Sequence, residues 1–248
     1  MMNAIGILWL RQVKRYLRSR ARIFSSLGQP LLFFVALGFG LGPVYARAGQ
    51  GSYLTFLGPG VVAMGVVFTA IFSGIELIWD RQFGFLKETL VAPVPRAAIV
   101  FGKTLGGATV ATLQGVLTLL LAILVGFRPA ALALLPAIVV MFLIALLFTA
   151  LGIAIAARLE DMQAFPLLMN FIVMPIFFLS GALFPLAGLP SGIRFVTTIN
   201  PLTYGVDALR LLLSGQGHFS LSLDLAVLSA VTLALLALGT VLFAGIEL

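Results

Sequence analysis

Long apolar runs separated by short charged segments dominate this chain. Six runs contain no charged residue, and each has at least 22 residues: 23–46, 48–75, 104–127, 129–157, 162–193 and 225–246. About 20 apolar residues in a helix, at 1.5 Å rise per residue, cross the roughly 30 Å hydrocarbon core of a bilayer. Backbone amides in that core must find partners within their own segment. The pattern therefore predicts an all-α integral membrane protein with six transmembrane helices.

The composition excludes a soluble domain and argues against a membrane barrel. Charged residues make up 9% of the chain and hydrophobic residues 61%, whereas a soluble domain has about 25% charged residues. The runs are too long and continuous for the strands of a transmembrane barrel, which alternate over about 10 residues. They use most of the 248 residues, so we expect one membrane domain over 1–248 and no soluble catalytic domain. The absence of cysteine excludes disulfides and thiolate chemistry.

The basic residues are distributed unevenly between alternate loops. Eleven of the 15 Lys and Arg residues precede the first run, lie in 80–103 or occupy position 158, and four lie in the other loops. The positive-inside rule places the richer side, with the N-terminus, in the cytoplasm of a plasma or inner membrane. Six spans return the C-terminus there, although the last three residues carry no basic group. Small residues at 46 and 48 resemble a signal-peptide cleavage site. The preceding apolar run of 24 residues, however, is longer than the 7–15 residues usual for the apolar region of a signal peptide, so we expect no cleavage there.

The N-terminal segment 3–22 has the pattern of an amphipathic helix at the membrane interface. An apolar face with a tryptophan and an opposite cationic face are typical of helices near anionic lipid. A basic signal that only fixes topology is the alternative. The apolar face comprises Ile5, Leu8, Trp9, Val13, Tyr16 and Leu17, and the cationic face comprises Arg11, Lys14, Arg15, Arg18 and Arg22.

Two further segments depart from the simple alternation of span and loop. Segment 80–103 mixes charges with aromatic and leucine residues, which predicts a short amphipathic helix over 84–91, stopped by Pro93 and Pro95. Segment 184–222 contains a charge-free stretch of 12 residues, 195–206, which is too short to span a membrane. We expect two short re-entrant helices there, with Asp207 and Arg210 paired on one helix face. Within span five, about 162–183, Pro166 and Pro175 predict kinks.

Few residues point to chemistry of their own. Glu76 is the only acid that we place within a span, and it is either an interfacial residue or a functional carboxylate. Phe101-Gly102-Lys103-Thr104 resembles the end of a phosphate-binding loop, but position 97 is Ala where that pattern needs Gly. His218 is the sole histidine, so we expect no metal site. No serine has a base in view, so a hydrolase has no support.

Three stretches together resemble the ABC-2 type transporter permeases. They are RQFGFLKETLVAPVPR (81–96), FFLSGALFPLAGLP (177–190) and INPLTYGVDALR (199–210). Their order and spacing cover essentially the whole chain and are most similar to the drug or lipid efflux branch that includes daunorubicin-resistance permeases. Relatives often end in a basic tail after span six, and this chain does not, which puts part of its cytoplasmic contact surface in doubt.

The resemblance implies a half-transporter that dimerises and has no ATPase site of its own, with spans one, two and five facing the dimer axis. A separate ABC ATPase, in two copies, would bind ATP and Mg²⁺, and segment 80–95 would be the coupling helix inserted into it. The residues implied for coupling are Arg81, Phe83, Gly84, Phe85, Leu86, Lys87, Glu88 and Leu90. Those expected along the substrate path are Phe34, Phe68, Phe72, Asn170, Phe171, Met174, Phe177 and Ser180. Those of the re-entrant loop, 184–222, are Asn200, Pro201, Tyr204, Asp207 and Arg210.

These expectations favour the membrane subunit of an ATP-driven exporter that moves an amphipathic cargo outward, either a drug-like molecule or a lipid or glycolipid. An ion-coupled secondary transporter that uses Glu76 is the first alternative, but such transporters usually carry internal repeats and several midplane acids. A membrane-embedded enzyme acting on lipid is the second, and it needs His, Asp or Lys residues converging at one depth. An adjacent ATPase subunit would favour the exporter over both.

Overall fold

The computed structural model describes residues 2–48, 51–85, 89, 94–159 and 161–245, with only the backbone of Arg22. Every regular element in these residues is helical, as the sequence predicts. The elements are α1 (Met2–Arg18), α2 (Arg20–Phe33), a π-helical turn (Phe34–Phe39), α3 (Gly40–Arg47), α4 (Tyr53–Phe72), α5 (Ile75–Gln82), α6 (Arg96–Val125), a 3₁₀ turn (Ala131–Ala133), α7 (Leu134–Ala156), α8 (Ala164–Phe178), α9 (Ser191–Ile199), α10 (Pro201–Ser214) and α11 (Leu221–Ala244).

Five helical stretches among the described residues are long and apolar enough to cross a membrane. They are Ile23–Arg47, Tyr53–Gln82, Arg96–Val125, Ala131–Ala156 and Leu221–Ala244. They coincide with five of the six predicted spans. The remaining one contains α8, which has 15 residues and is shorter than the roughly 20 needed for a crossing. Six crossings therefore stay a prediction.

The two prolines expected to kink span five lie in α8, and the kinks stay a prediction. Pro166 lies in the first turn of the helix, where a missing N–H has no intrahelical partner to lose. Pro175 lies inside the helix, which ends three residues later at Phe178. The chain then turns through Gly181, whose φ of 73° is in the left-handed region. The last five residues of the predicted span, 179–183, are thus turn rather than helix.

Helix α4 lies at the centre of the bundle and packs against α6, α7 and α10. Its joint with α5 lies directly against the backbone of α7. A Cβ atom on Gly152 would lie 2.4 Å from the carbonyl oxygen of Ile71, and one on Gly74 would lie 2.5 Å from the carbonyl oxygen of Gly152. Both distances are far below van der Waals contact, so this crossing depends on two glycines that let the backbones meet.

The N-terminal helix is shorter than predicted. It ends at Arg18, and Ser19 has φ −96° and ψ 76°, outside the helical region. Arg20 and Arg22 therefore belong to α2, which leads through the π-helical turn into α3. In that turn Gly38 allows close approach to α4, since a Cβ there would lie 2.5 Å from Cδ2 of Leu54.

Segment 184–222 contains the two short helices that the sequence predicts. Helix α10 is buried along most of its length. Helix α9 instead exposes apolar side chains, with Phe195 68% and Ile199 65% exposed. That these helices dip into a membrane stays a prediction, because their position relative to a bilayer does not follow from these contacts.

Candidate functional site: the junction of α1, α5 and α6

Helix α1 follows α6 instead of standing alone. The Tyr16 hydroxyl donates to Oε1 of Gln114 at 2.6 Å, and Nε1 of Trp9 donates to Oγ1 of Thr109 at 3.0 Å. Nearer the start of both helices, a Cβ on Gly102 would lie 3.1 Å from Leu8. The contacts advance in the same order along both helices, so α1 and α6 run in the same direction. The apolar face predicted to lie against lipid thus packs largely on a neighbouring helix.

The cationic face of α1 lies against α5. Nη2 of Arg11 lies 2.5 Å from Oδ2 of Asp80, and Nζ of Lys103, on α6, donates to the same oxygen. The guanidinium of Arg15, one turn after Arg11, lies 5.1 Å from the centre of the Trp79 ring. One carboxylate therefore joins three helices, and Arg11 of the basic face supplies one of its two counter-charges.

Burial makes this ion cluster sensitive to the loss of any member. Asp80 is 6% exposed and Lys103 is 3% exposed. A charge removed from water needs a partner, and deleting one partner of a buried pair costs about 3–5 kcal/mol because the other charge is left uncompensated. Glu76 lies one turn before Asp80 and is also 6% exposed. It is a buried acid rather than one open to solvent.

The predicted coupling segment begins where this junction ends. Phe83 and Phe85 are 69% and 53% exposed, and Gly84 between them turns the chain with φ 82°. Arg81 is partly buried in the last turn of α5. The other residues implied for coupling, Leu86, Lys87, Glu88 and Leu90, lie outside the described residues, as does most of the short helix predicted over 84–91.

The eight residues expected along the substrate path do not share one surface. Three are buried in the helix packing: Phe34, Phe177 and Ser180. Asn170 and Phe171 lie on the exposed face of α8, and Met174 is partly buried. Phe68 and Phe72 line a cavity of about 220 Å³ between α2 and α4. Their roles in transport stay predictions.

The motif at the start of α10 has a clear local role. Asn200 accepts a hydrogen bond from the amide of Leu202 at 3.0 Å and donates to the carbonyl oxygen of Ile176 at 2.6 Å. It caps α10 and fastens it to α8, while Pro201 occupies the first turn, where proline is favoured. The Tyr204 hydroxyl donates to the carbonyl oxygen of Thr198 at 2.8 Å.

Asp207 and Arg210 do not form the predicted ion pair with each other. The Asp207 carboxylate accepts from the amides of His218, at 2.8 and 2.9 Å, and of Phe219, at 2.7 Å. Arg210 donates to the carbonyl oxygens of Phe56 and Gly181. Burial lowers the pKa of Arg210 to about 10, against the opposing effect of the Asp207 charge, so the guanidinium stays charged at neutral pH. Each side chain anchors a different loop to α10.

Several buried polar residues have no counterpart among the residues expected to be functional, Asp80 and Lys103 of the junction among them. Gln12 and Gln114 lie in the α1–α6 contact. Each is a polar residue on an otherwise apolar helix face, and that position is the signal that could have indicated them. Asp224 is fully buried in the first turn of α11, and neither carboxylate oxygen has a hydrogen-bond partner among the described residues. In the sequence, Asp224 stands directly before the charge-free run 225–246, so its position resembles that of an acid at the end of a span.

The helices, the apolar spans and the buried ionic junction define a multi-pass membrane protein. The chain matches the family model described as "ABC-2 type transporter" over residues 3–213. That match covers most of the chain, and the chain belongs to this family.

Curated relatives cover nearly the same extent. Nodulation protein J of Rhizobium leguminosarum bv. viciae is 30% identical over 230 residues, which is 90% of this chain and 88% of that protein. Nodulation protein J of Rhizobium meliloti (strain 1021) is 30% identical over 224 residues, covering 90% and 85%. The putative transport permease ycf38 of Cyanophora paradoxa is 29% identical over 196 residues, covering 77% and 68%. The resemblance seen in the three sequence stretches is thereby confirmed, and the protein is a membrane transporter subunit.

Proposed function

We propose that this chain is the membrane-spanning subunit of an ATP-driven exporter. It dimerises with a second, identical copy and couples to two copies of a separate ABC ATPase, which bind ATP and Mg²⁺. Its cargo is an amphipathic molecule, drug-like or lipid-like, that moves outward across the inner or plasma membrane. Both termini lie in the cytoplasm.

The observation that carries this proposal is the position of the ionic junction. Asp80 binds α1 and α6 at the point where the chain enters the coupling segment. Displacement of that segment by an ATPase therefore acts on three helices at once. The exposed rings of Phe83 and Phe85 are the kind of aromatic surface that a protein partner covers, since aromatic residues are enriched at interfaces.

Two further observations support the cargo and the dimer. The cavity of about 220 Å³ is lined by uncharged polar groups, including Ser26, Gln29 and Thr69, together with Phe68 and Phe72, a mixture that suits an amphipathic molecule. Helix α8 exposes apolar side chains, with Leu167 73% and Phe171 82% exposed. A second copy of the chain would cover this face.

The test measures ATP hydrolysis by the ATPase subunit that co-purifies with this chain, with and without the chain, in lipid nanodiscs. We expect hydrolysis to depend on the chain, and Arg81→Glu or Glu88→Arg to abolish that dependence while insertion is unchanged. Arg128→Glu, an exposed reversal in an alternate loop, is the control and should behave as wild type. Full activity in both coupling variants would show that segment 80–95 does not couple the subunits.

Orientation has a separate test. A cysteine at Gly217 should react with an impermeant reagent added outside cells, and one at Gln82 should react only after permeabilisation. The natural chain has no cysteine, so it supplies an unlabelled background. The reverse labelling pattern would overturn the proposed topology.

The ion-coupled alternative keeps one observation in its favour, the burial of Glu76. The two mechanisms differ in what Glu76→Gln does. An exporter driven by ATP should keep its transport rate within a few-fold and stay insensitive to uncouplers that collapse ion gradients. Loss of transport in Glu76→Gln, together with uncoupler sensitivity in the wild-type protein, would favour the ion-coupled mechanism.

A further inference from the structure

A second cavity lies at the end of the bundle opposite the coupling segment. It has a volume of about 360 Å³ and lies between α3, the start of α4, loop 185–187, α10 and residues 216–218. Phe56, which lines it, precedes Asp80 by 24 residues in one continuous span-length stretch, a rise of about 36 Å. The volume is within the roughly 300–1,000 Å³ typical of ligand sites.

A buried guanidinium forms one wall of this cavity. Arg210 is 6% exposed. Its Nε donates to the carbonyl oxygen of Phe56 at 3.4 Å, its Nη2 donates to that of Gly181 at 2.8 Å, and its Cζ lies 4.0 Å from the centre of the Phe56 ring. A guanidinium has five N–H groups, and among the described residues these two bonds use two of them. The group is thus held in place with donors remaining on the side of the cavity.

The nearest carboxylate forms no direct ion pair with this cation. Asp207, also in the lining, is 2% exposed and accepts three bonds from the amides of His218 and Phe219. Oδ1 accepts one of these bonds, and a carboxylate oxygen has two lone pairs, so it can accept another. Residues 207 and 210 are three apart in one helix, which places their Cβ atoms about 5–6 Å apart on the same face. The wall therefore presents donors and an acceptor side by side.

The rim adds neutral hydrogen-bonding groups and a flat surface. Gln216 and His218 are exposed, and the ring of Tyr45 is partly buried in the lining. That ring packs against Tyr53 and Phe56, at centre-to-centre distances of 5.0 and 5.8 Å. Its position is thereby fixed by an aromatic cluster at the ends of α3 and α4.

We propose that this cavity binds a hydroxylated oxyanion, a sugar acid or sugar phosphate in chemical class. The carboxylate or phosphate accepts hydrogen bonds from Arg210, whose planar donors suit such oxygens. A neighbouring hydroxyl donates to Asp207, which would repel an anion that brings no donor of its own. The site goes beyond the proposed export function and does not require an ATPase, so each can fail without the other.

Other ligand classes fit this wall less well. A cation would face the fixed positive charge of Arg210, and the described residues hold no group of three His, Asp or Glu that could bind a metal. A neutral sugar would offer the remaining guanidinium donors only neutral acceptors, which form weaker hydrogen bonds than an anion does. A purely structural Arg210 that only fastens α10 to α4 and to the turn at Gly181 is the outcome that the experiment must exclude.

The test is calorimetric titration of the full chain in phosphatidylcholine nanodiscs with glucuronate, glucose 6-phosphate and glucose. We expect saturable binding of the two anionic probes and at least tenfold weaker binding of glucose. Equal binding of glucose and glucuronate, or no binding of either anion, would overturn the proposal. Repeating the titration in nanodiscs with phosphatidylglycerol identifies the source, since competition indicates that a lipid headgroup also enters the site and its absence indicates a soluble ligand.

Two variants assign the binding to named groups. Arg210→Gln should weaken binding of glucuronate at least tenfold, which is about 1.4 kcal/mol, whereas Arg128→Gln, at an exposed arginine, should leave it unchanged. If Arg210→Gln fails to fold, Gln216→Ala tests the same cavity from the exposed rim and should weaken binding several-fold. Wild-type affinity in a folded Arg210→Gln protein, or in Gln216→Ala when Arg210→Gln does not fold, would exclude this cavity as the site.

Discussion

Removing Lys103 from the buried ionic junction is the most informative perturbation. In Lys103→Met the side-chain stem is kept and the ammonium is lost. Among the described residues the Asp80 carboxylate then retains only Arg11 as an ion-pair partner, and the side chain of Arg11 is 40% exposed. Loss of one partner from a buried pair costs about 3–5 kcal/mol. The exposed arginine offsets part of that cost, so we expect the free energy of unfolding to fall by about 2–4 kcal/mol. The double variant Asp80→Leu/Lys103→Met also removes the carboxylate that Lys103 compensates, and it should recover most of the loss.

The chain carries a local reporter for this experiment. Its two tryptophans are Trp9, bonded to Thr109, and Trp79, beside Arg15, so intrinsic fluorescence follows the junction itself. Denaturant titration in detergent micelles, with the single and double variants, gives the coupling energy between Asp80 and Lys103. Arg128→Met is the matched control for loss of an exposed charge. A coupling energy below about 0.5 kcal/mol, which is the limit of additivity for independent sites, would refute the view that this cluster holds the three helices together.

Three further predictions concern the packing. Gly152→Ala should lower the free energy of unfolding by about 1–3 kcal/mol, because its Cβ would lie 2.4 Å from the Ile71 carbonyl oxygen; wild-type stability in a melting experiment would contradict this. Asn200→Ala removes the cap of α10 and a bond to Ile176, so a loss of about 0.5–2 kcal/mol is expected, with Asn200→Asp restoring the capping part alone. Asp224→Leu replaces a buried acid that has no hydrogen-bond partner among the described residues, and it should be neutral or stabilising by up to about 4 kcal/mol; a clear loss of stability would indicate a partner for that carboxylate.

The sequence predicts the elements of this fold better than their contacts. Apolar runs locate five span-length helices because length and composition alone decide whether a helix suits a bilayer. The two short helices of 184–222 follow from the same reasoning, since 12 charge-free residues cannot cross. The length of α8 was overestimated, because a charge-free run does not reveal that the chain turns at Gly181.

The partners of the charges required tertiary information. Asp207 and Arg210 satisfy the spacing rule for a helical ion pair. In the structure Asp207 instead accepts from the amides of the loop after α10, and Arg210 donates to the turn at Gly181. The same limit applies to α1, where periodicity correctly separates an apolar and a basic face without saying what each face contacts. The predicted cationic face has no partner in the sequence analysis, because Asp80 is 69 residues away from Arg11 in the chain.

The position of Asp80 raises the question whether the ionic junction and the cavity beside Arg210 are energetically coupled. Helix α6 has 30 residues, a length of about 45 Å, and Asp80 binds it at Lys103 near one end. At the other end, the amide of Ala130 donates to the carbonyl oxygen of Leu213 in α10 at 3.2 Å, one turn after Arg210. Helix α6, together with the loop that follows it as far as Ala130, thus connects the base of the coupling segment with the helix that lines the opposite cavity. Because a contiguous path is not by itself proof of coupling, the decisive comparison is the affinity for glucuronate in Lys103→Met and in the wild-type protein. A shift would join the two ends energetically, and an unchanged affinity would leave them as independent sites.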